Sequence, residues 1–514
     1  MKSFVSALGM ATAAFAVATS AGAADLPSRK SAPVEYVRVC TAYGAGFFYI
    51  PGADSCLRIS GRVRAEYAVG QRYGDAQDAY GTRARGRLNV DARTATAYGT
   101  LRTFFRYELT NNTGVYASNS AGSSFSSGQF NTGSGVPGVY RGSAGTGSLL
   151  DLAYVQFGPI TAGRAQSFFD FYASDLNFAS IRTADSRVNL LAYTATFGSG
   201  FSATVSAEDR TSGTVSRELG GAPNLPLGTN AIGIARANAA RAAAGLGPLG
   251  TAANGLGAVT EGQDFPDLVA SLRVDQGWGS AQLSGAIGSR RYSIGAAGGG
   301  SNVTVGATTY TSTAPVSGPV RGNPRGDELV WAVQGGVKIN LPMLAAGDAL
   351  WLQAAYADGA LGYLGWSSNS FGLGRLGRLG LSDASVDVVT GNVKNSTGYS
   401  LVAAFRHFWT PTLRTEIGAS YSALNLKYLD SNALNFAVAN NLVARSLDPK
   451  EFLLAANLIW SPVSGLDIGV EVLYSHLDVR SPVGSVNNWA TRSNVFGIKT
   501  EDSISGRLRV QRDF

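Results

Sequence analysis

From about residue 56 onward, polar and apolar positions alternate with period two in stretches of about ten residues, the signature of half-buried strands. In residues 56–67, CLRISGRVRAEY, one face carries Arg58, Arg62, Arg64 and Glu66, and the other carries Leu57, Ile59, Val63, Ala65 and Tyr67. In residues 412–421, Leu413, Thr415, Ile417, Ala419 and Tyr421 oppose Arg414, Glu416, Gly418 and Ser420. In residues 466–475, Leu466, Ile468, Val470, Val472 and Tyr474 oppose Asp467, Gly469, Glu471, Leu473 and Ser475. The same pattern predicts strands near 57–68, 82–94, 98–109, 149–157, 160–166 and 187–197. It continues through 201–209, 267–288, 328–357, 398–422 and 451–475 to a last strand over 503–514. That makes about sixteen strands, an even number, each near the 9 to 11 residues that cross a bilayer when tilted. Segments near 110–148, 210–265, 290–326, 358–396, 423–449 and 476–501 are rich in Gly, Ser, Asn and Thr, whereas GWG, TP and SPVSG read as tight turns. The long and short connections alternate, as external loops and periplasmic turns of a membrane barrel do.

Which face is wet decides between a soluble sandwich and a transmembrane barrel. The apolar faces begin or end in aromatic residues: Tyr67, Tyr107, Trp331, Tyr356, Tyr399, Trp409, Tyr421, Trp460, Tyr474 and Phe514. Rings at strand ends fit the headgroup level of a bilayer. A sandwich leaves two edges to protect, whereas in hydrocarbon every unpaired backbone group costs several kcal/mol, so a sheet there must close. The sequence therefore predicts an all-β, antiparallel transmembrane barrel with its leucine face against lipid and its arginine face in the lumen. Apart from the N-terminus, no apolar run approaches the roughly 20 residues of a helical span. The Ala-rich stretch 231–245 is interrupted by Arg236 and Arg241.

Composition agrees with one large closed architecture. Glycine is abundant at 65 residues, with 21 Tyr and 23 Phe, and charged residues make up 15% against about 25% in soluble domains. Lys2, the apolar run over 4–18 and the small-residue site Ala21-Gly22-Ala23 read as a signal peptide over 1–23, cleaved after Ala23. Residues 24–56 then form a periplasmic N-terminal segment and 57–514 the barrel. The net charge of +7 is dispersed in alternating strands of an exported chain, which argues against nucleic acid as a partner. Cys40 and Cys56, in an oxidising compartment, are expected to form a disulfide in preference to two free thiols, contributing roughly 3 kcal/mol.

Residues 25–67, DLPSRKSAPVEYVRVCTAYGAGFFYIPGADSCLRISGRVRAEY, closely resemble the N-terminal signature of alphaproteobacterial outer-membrane porins, including the rhizobial and Brucella-type general porins. Residues 152–172, LAYVQFGPITAGRAQSFFDFY, resemble the porin hairpin that leads into an inward-folded third loop, and the chain ends in Phe514, as outer-membrane proteins commonly do. The resemblance implies a sixteen-stranded homotrimeric diffusion channel in the outer membrane of a Gram-negative cell. Its surroundings would be outer-membrane lipid and lipopolysaccharide, and Phe514 would be read by the assembly machinery. The external segments, above all 210–265, are long for that family, so no loop-borne role is carried over.

With the charged face luminal, the first three strands present a ladder of cations: Arg62 and Arg64, then Arg83, Arg85 and Arg87, then Arg102 and Arg106. Strands about 4.8 Å apart, with same-face residues roughly 6.8 Å apart, merge these into one patch. Arg62, Arg64, Arg85, Arg87, Arg102 and Arg106 are the expected wall of a constriction. Asp170, Asp175 and Asp185, with Arg182 among them, are the expected acidic side, carried by the loop between the fifth and sixth strands. The arginines could alternatively pair with neighbouring strand carboxylates.

Catalytic signals are weak. Of the two histidines, His407 falls on an apolar face beside Trp409, and His476 stands near Ser475 and Asp478 as the sole basis for a Ser/His hydrolase. The cysteines and histidines do not make a metal-ligand set, and GAAGGG lacks the strand, helix and lysine of a phosphate loop. RGD at 325–327 matches an adhesion tripeptide that recurs by chance. The expected function is a passive, water-filled channel for small hydrophilic solutes and ions, without cofactor or enzymatic activity. The second reading is a structural or adhesive barrel whose loops block its lumen.

Overall fold

The structure, a computed structural model, describes residues 38–50, 52–70, 79–116, 144–173, 176–210, 219–221, 256–260, 265–296, 302–305, 308–311, 325–366, 383–386, 393–426, 448–480 and 500–514. Sixteen antiparallel strands form a closed barrel. They are β1 (Ser55–Gly70), β2 (Tyr80–Thr96), β3 (Gly99–Thr113), β4 (Ala144–Phe157), β5 (Ile160–Gln166), β6 (Arg187–Gly198), β7 (Phe201–Asp209) and β8 (Asp267–Gln276). The second half comprises β9 (Gly279–Ala296), β10 (Arg325–Asn340), β11 (Ala349–Asp358), β12 (Thr397–Thr410), β13 (Leu413–Asn425), β14 (Lys450–Val463), β15 (Leu466–Asp478) and β16 (Thr500–Asp513).

Each strand pairs with the next, and β1 pairs with both β2 and β16, with Arg62 opposite Asp513 and Gly70 opposite Ser505. At the seam the Gly61 N–H donates to the Phe514 carbonyl at 2.8 Å, and the Phe514 N–H donates back to the Gly61 carbonyl at 3.1 Å. Phe514 lies over Gly61 so closely that a Cβ there would meet its ring at 2.5 Å and the Arg87 carbonyl at 2.6 Å. The closing residue therefore has no room for a side chain.

Burial follows the predicted alternation. Val63, Leu101, Ile417, Val470 and Val472 stand exposed on the outer surface, whereas Glu66, Glu108, Glu416, Glu471 and Arg509 are buried on the inner one. Aromatic residues mark both rims. At the loop end Trp331 packs on Tyr356 (5.4 Å between centroids) and Tyr399 on Tyr421 (6.2 Å), while Trp278, Trp409, Trp460 and Phe514 are exposed at the turn end. The tight turns fall at 277–278 within GWG, at 411–412 overlapping TP, and at 464–465 within SPVSG.

Several strands extend beyond the predicted limits on the loop side. β9 runs to Ala296 and β10 starts at Arg325, so part of the expected 290–326 loop is paired strand. The RGD tripeptide lies in that ladder, with Arg325 opposite Ser293 and Asp327 opposite Arg291. β1 begins at Ser55, which puts Cys56 inside the first strand. Cys40 and Cys56 form a disulfide, buried with Phe47 and flanked by Tyr43 and Tyr49, that ties the preceding segment to β1. The export segment 1–23 and the Ala-rich stretch 231–245 lie outside the described residues.

Replacing Gly61 with Val is expected to displace the Phe514 ring or β2 and destabilise the seam by about 1–3 kcal/mol. Gel mobility of the unheated folded species in detergent checks this: the variant should convert to the unfolded band at a lower temperature than the parent.

Candidate pore lining

The ladder arginines lie on the inner face of β1–β3, each with a neighbour across a strand boundary. Arg62 Nε donates to Asp513 Oδ1 at 2.7 Å, and Arg64 Nε and Nη2 donate to Gln511 Oε1 at 3.0 and 2.9 Å. Arg85 and Arg87 share Glu108 at 3.2 and 2.5 Å. Arg102 and Arg93 share Asp91 at 3.0 and 2.8 Å, and Arg106 reaches Asn89 at 2.9 Å and Asp151 at 3.3 Å. Arg83 is more deeply buried on Glu66, which also takes Arg509 at 2.8 Å. The side chains of Arg62, Arg85, Arg87, Arg102 and Arg106 keep 16–27% exposure, so they are paired and still hydrated.

Residues 167–173 and 176–186, between β5 and β6, are held against polar side chains of many strands. Ser167 Oγ and the Phe168 N–H donate to Glu208 on β7 at 2.7 and 3.1 Å. On β9 and β10, Gln282 and Gln334 donate to the Phe169 carbonyl at 3.3 and 2.8 Å, and the Tyr172 N–H donates to Gln353 on β11 at 2.9 Å. Farther along, the N–H groups of Phe178 and Ala179 both donate to Glu471 on β15, at 2.5 and 2.6 Å, and Arg509 on β16 lies 3.9 Å over the Phe178 ring. Arg182 binds Glu451 on β14, stacks 3.9 Å from Trp366, and receives Ser400 Oγ on its carbonyl at 3.0 Å. Charge-assisted bonds to otherwise orphaned backbone N–H groups are worth about 1.5–3 kcal/mol each, so Glu208 and Glu471 are strong fixing points.

The wall is shaped for this segment. A Cβ at inward-facing Gly336, Gly418 or Gly469 would meet Phe171, Asn177 or Phe178 at 2.4, 2.0 or 2.7 Å. Leu473, a large apolar residue among the polar positions of β15, packs in a buried cluster with Tyr172, Leu176, Ala179 and Ile181. A second part of the lining comes from the connection after β11, whose 3-10 turn Leu361–Leu364 is buried against Phe169 and Trp366. The Tyr363 ring packs tilted against Phe169 at 4.5 Å between centroids, and its hydroxyl donates to Asp267 at 2.9 Å. Sequence reasoning assigned that stretch to an external loop. Its signal was ALGYLGW, an apolar cluster inside an otherwise Gly- and Ser-rich segment.

Asp170 and Asp185 bond to groups other than the six arginines expected opposite them. Asp170 is buried, accepting the Ala173 N–H at 2.8 Å and Gln353 Nε2 at 3.3 Å, and Asp185 pairs with Arg187. Asp175 lies outside the described residues. Burial, with the neighbouring Asp185 charge, pushes the Asp170 carboxyl up to about 7 from an ordinary value near 4.

The histidines have structural partners. His407 Nδ1 lies 2.6 Å from Asp348 Oδ2, with its ring edge-on to Trp409 at 4.5 Å. His476 faces outward and meets Asp502 at 2.8 Å, whereas Ser475 is buried on the opposite face of β15, so the two do not form a nucleophile–base pair. Among the described residues no group of three or more His, Cys, Asp or Glu could hold a metal ion.

Residues 25–507 match the sequence profile of a family described as the porin subfamily. The chain belongs to that subfamily. Porin Omp2b of Brucella suis biovar 1 is 35% identical over 203 residues, and Omp2b of Brucella neotomae is 37% identical over the same length. Each match covers 38% of this chain and 51% of the relative, so the aligned region spans about half the length of these porins. Among solved structures, the outer membrane channel DcaP of Acinetobacter baumannii superposes with a TM-score of 0.53 at 15% identity, covering 91% of this chain and 99% of that one, a likeness of fold. A closed porin barrel with an apolar outer belt is a protein of the Gram-negative outer membrane.

Because the folded state holds Asp170 protonated at pH values where the unfolded chain has released that proton, its contribution to stability is full below about pH 4. It declines as pH rises towards 7. Thermal unfolding of the parent across that range, compared with Asp170→Asn, checks this: the difference in midpoint should shift against the parent as pH rises and level off above about 7.

Proposed function

We propose that this porin forms a passive, water-filled channel for small hydrophilic solutes and ions. The arrangement of charge in the barrel carries the reading: hydrated arginines line β1–β3, while the 167–186 segment is fastened to polar groups of β7 and β9–β16. In this reading the segment crosses the lumen. Arg62, Arg64, Arg85, Arg87, Arg102 and Arg106 form the charged wall of the constriction, and the passage runs between that wall and the segment. Asp170 and Asp185 then serve the segment's own conformation and do not supply an acidic face. Polar solutes exchange their hydration for contacts with guanidinium groups and water, whereas apolar ones must displace that ordered layer.

Membership of the subfamily supports assembly as a homotrimer embedded in lipid and lipopolysaccharide, with Phe514 presented to the assembly machinery before the seam closes.

Refolded protein in a planar bilayer is expected to produce stepwise conductance increments, and proteoliposomes should swell in small sugars but not in large dextrans. A protein that inserts and folds yet never conducts would favour the structural barrel with a blocked lumen.

A further inference from the structure

The inner wall of β1 and β2 sets like charges directly opposite one another. Arg62 is in register with Arg87, and Arg64 with Arg85, and all four side chains are inward and partly exposed. Their counter-charges come from the flanking strands: Asp513 for Arg62, and Glu108 shared between Arg85 and Arg87. Four guanidinium groups therefore meet two carboxylates. Arg64 is the clearest case, because among the described residues both of its hydrogen bonds go to the neutral Gln511 and it makes no ion pair. The next carboxylate along β1, Glu66, is held by Arg83 and Arg509.

Asp467, across the seam from Arg62, is engaged by Arg414 and Ser461. Glu208, Glu451 and Glu471 are engaged by Ser167, Phe168, Arg182, Phe178 and Ala179 of the inner segment. Directly opposed like charges on neighbouring strands repel, so the tetrad is stabilised by whatever negative charge the lumen brings. Guanidinium donors are fixed in planar forks that match the oxygen spacing of carboxylate and phosphate, and two such forks from adjacent strands can grip one small anion from two sides.

We propose that Arg62, Arg64, Arg85 and Arg87 form a binding station for a compact, doubly charged oxyanion in transit, and that this station makes the channel anion-preferring. The inference rests on the channel reading above and names the solute class that its charged wall would take.

Single channels in potassium chloride test it with inorganic phosphate as the probe. Phosphate is expected to reduce the chloride current saturably, and the reversal potential in a salt gradient should lie on the anion side. Arg64→Gln should weaken the phosphate block about tenfold and move the reversal potential towards cations. Gln511→Glu, which gives Arg64 a carboxylate and removes no arginine, should do the same. Succinate in the same assay separates sources: an equal block assigns the station to oxyanions generally, and a block by phosphate alone narrows it to phosphate.

Open channels that neither anion blocks, or that block identically in both variants, overturn the station and leave the channel reading intact. A second readout does not require conduction. Phosphate should slow modification of Arg64 by phenylglyoxal in the folded, detergent-solubilised protein, as followed by mass spectrometry, and absence of protection also overturns the proposal.

Discussion

Backbone hydrogen bonding at one seam underlies the rest of this structure. Sixteen strands satisfy one another in sequence, and the N–H and C=O groups of β1 find their last partners on β16 through residues 62–70 and 505–513. In water an open edge would be a modest liability, but in hydrocarbon each unpaired group costs several kcal/mol. Closure then imposes two surfaces of different chemistry on every strand. Outward residues meet acyl chains and inward ones meet water, the segment between β5 and β6 or one another, which is why a period of two carries nearly all the folding information.

Inside that enclosure, acidic and basic residues divide the work. Glu208, Glu451 and Glu471 fasten residues 167–186 to the wall, two of them by receiving backbone N–H groups that no strand could satisfy. Among the described residues, Arg62, Arg64, Arg85 and Arg87 on β1 and β2 outnumber the carboxylates that pair with them and keep contact with solvent. The asymmetry is a consequence of the segment's path: a backbone run without a sheet partner must borrow acceptors from side chains, and the acceptors it takes are unavailable to neutralise the opposite wall. In the channel reading, charge on the pore surface is thus set by where the segment is anchored as well as by which residues face inward.

Strands, turns, rims and the inward arginines were legible from alternation because each is a local property of one or two neighbouring strands. The anchoring of 167–186 was not, since it joins residues far apart in the chain: Phe178 to Glu471, Arg182 to Glu451, Ser167 to Glu208. Its traces were present as anomalies. Leu473 breaks the polar face of β15, and Gly418 and Gly469 leave gaps on inward positions, features that acquire meaning only once Asn177, Phe178 and the cluster around Tyr172 fill them. Asp170 was expected on the acidic side of the constriction because it belongs, with Asp175 and Asp185, to the loop between the fifth and sixth strands. Its burial depends on Gln353, 183 residues away.

The two-surface arrangement is most directly tested by spin labels placed singly on one side or the other of the wall in the reconstituted protein. Labels at Val63, Leu101 and Ile417 are expected to collide with dissolved oxygen and to be shielded from a water-soluble nickel chelate. Labels at Arg62, Arg102 and Arg414 are expected to show the reverse. Chelate access at the first three positions, with oxygen-dominated relaxation at the second three, would contradict the account.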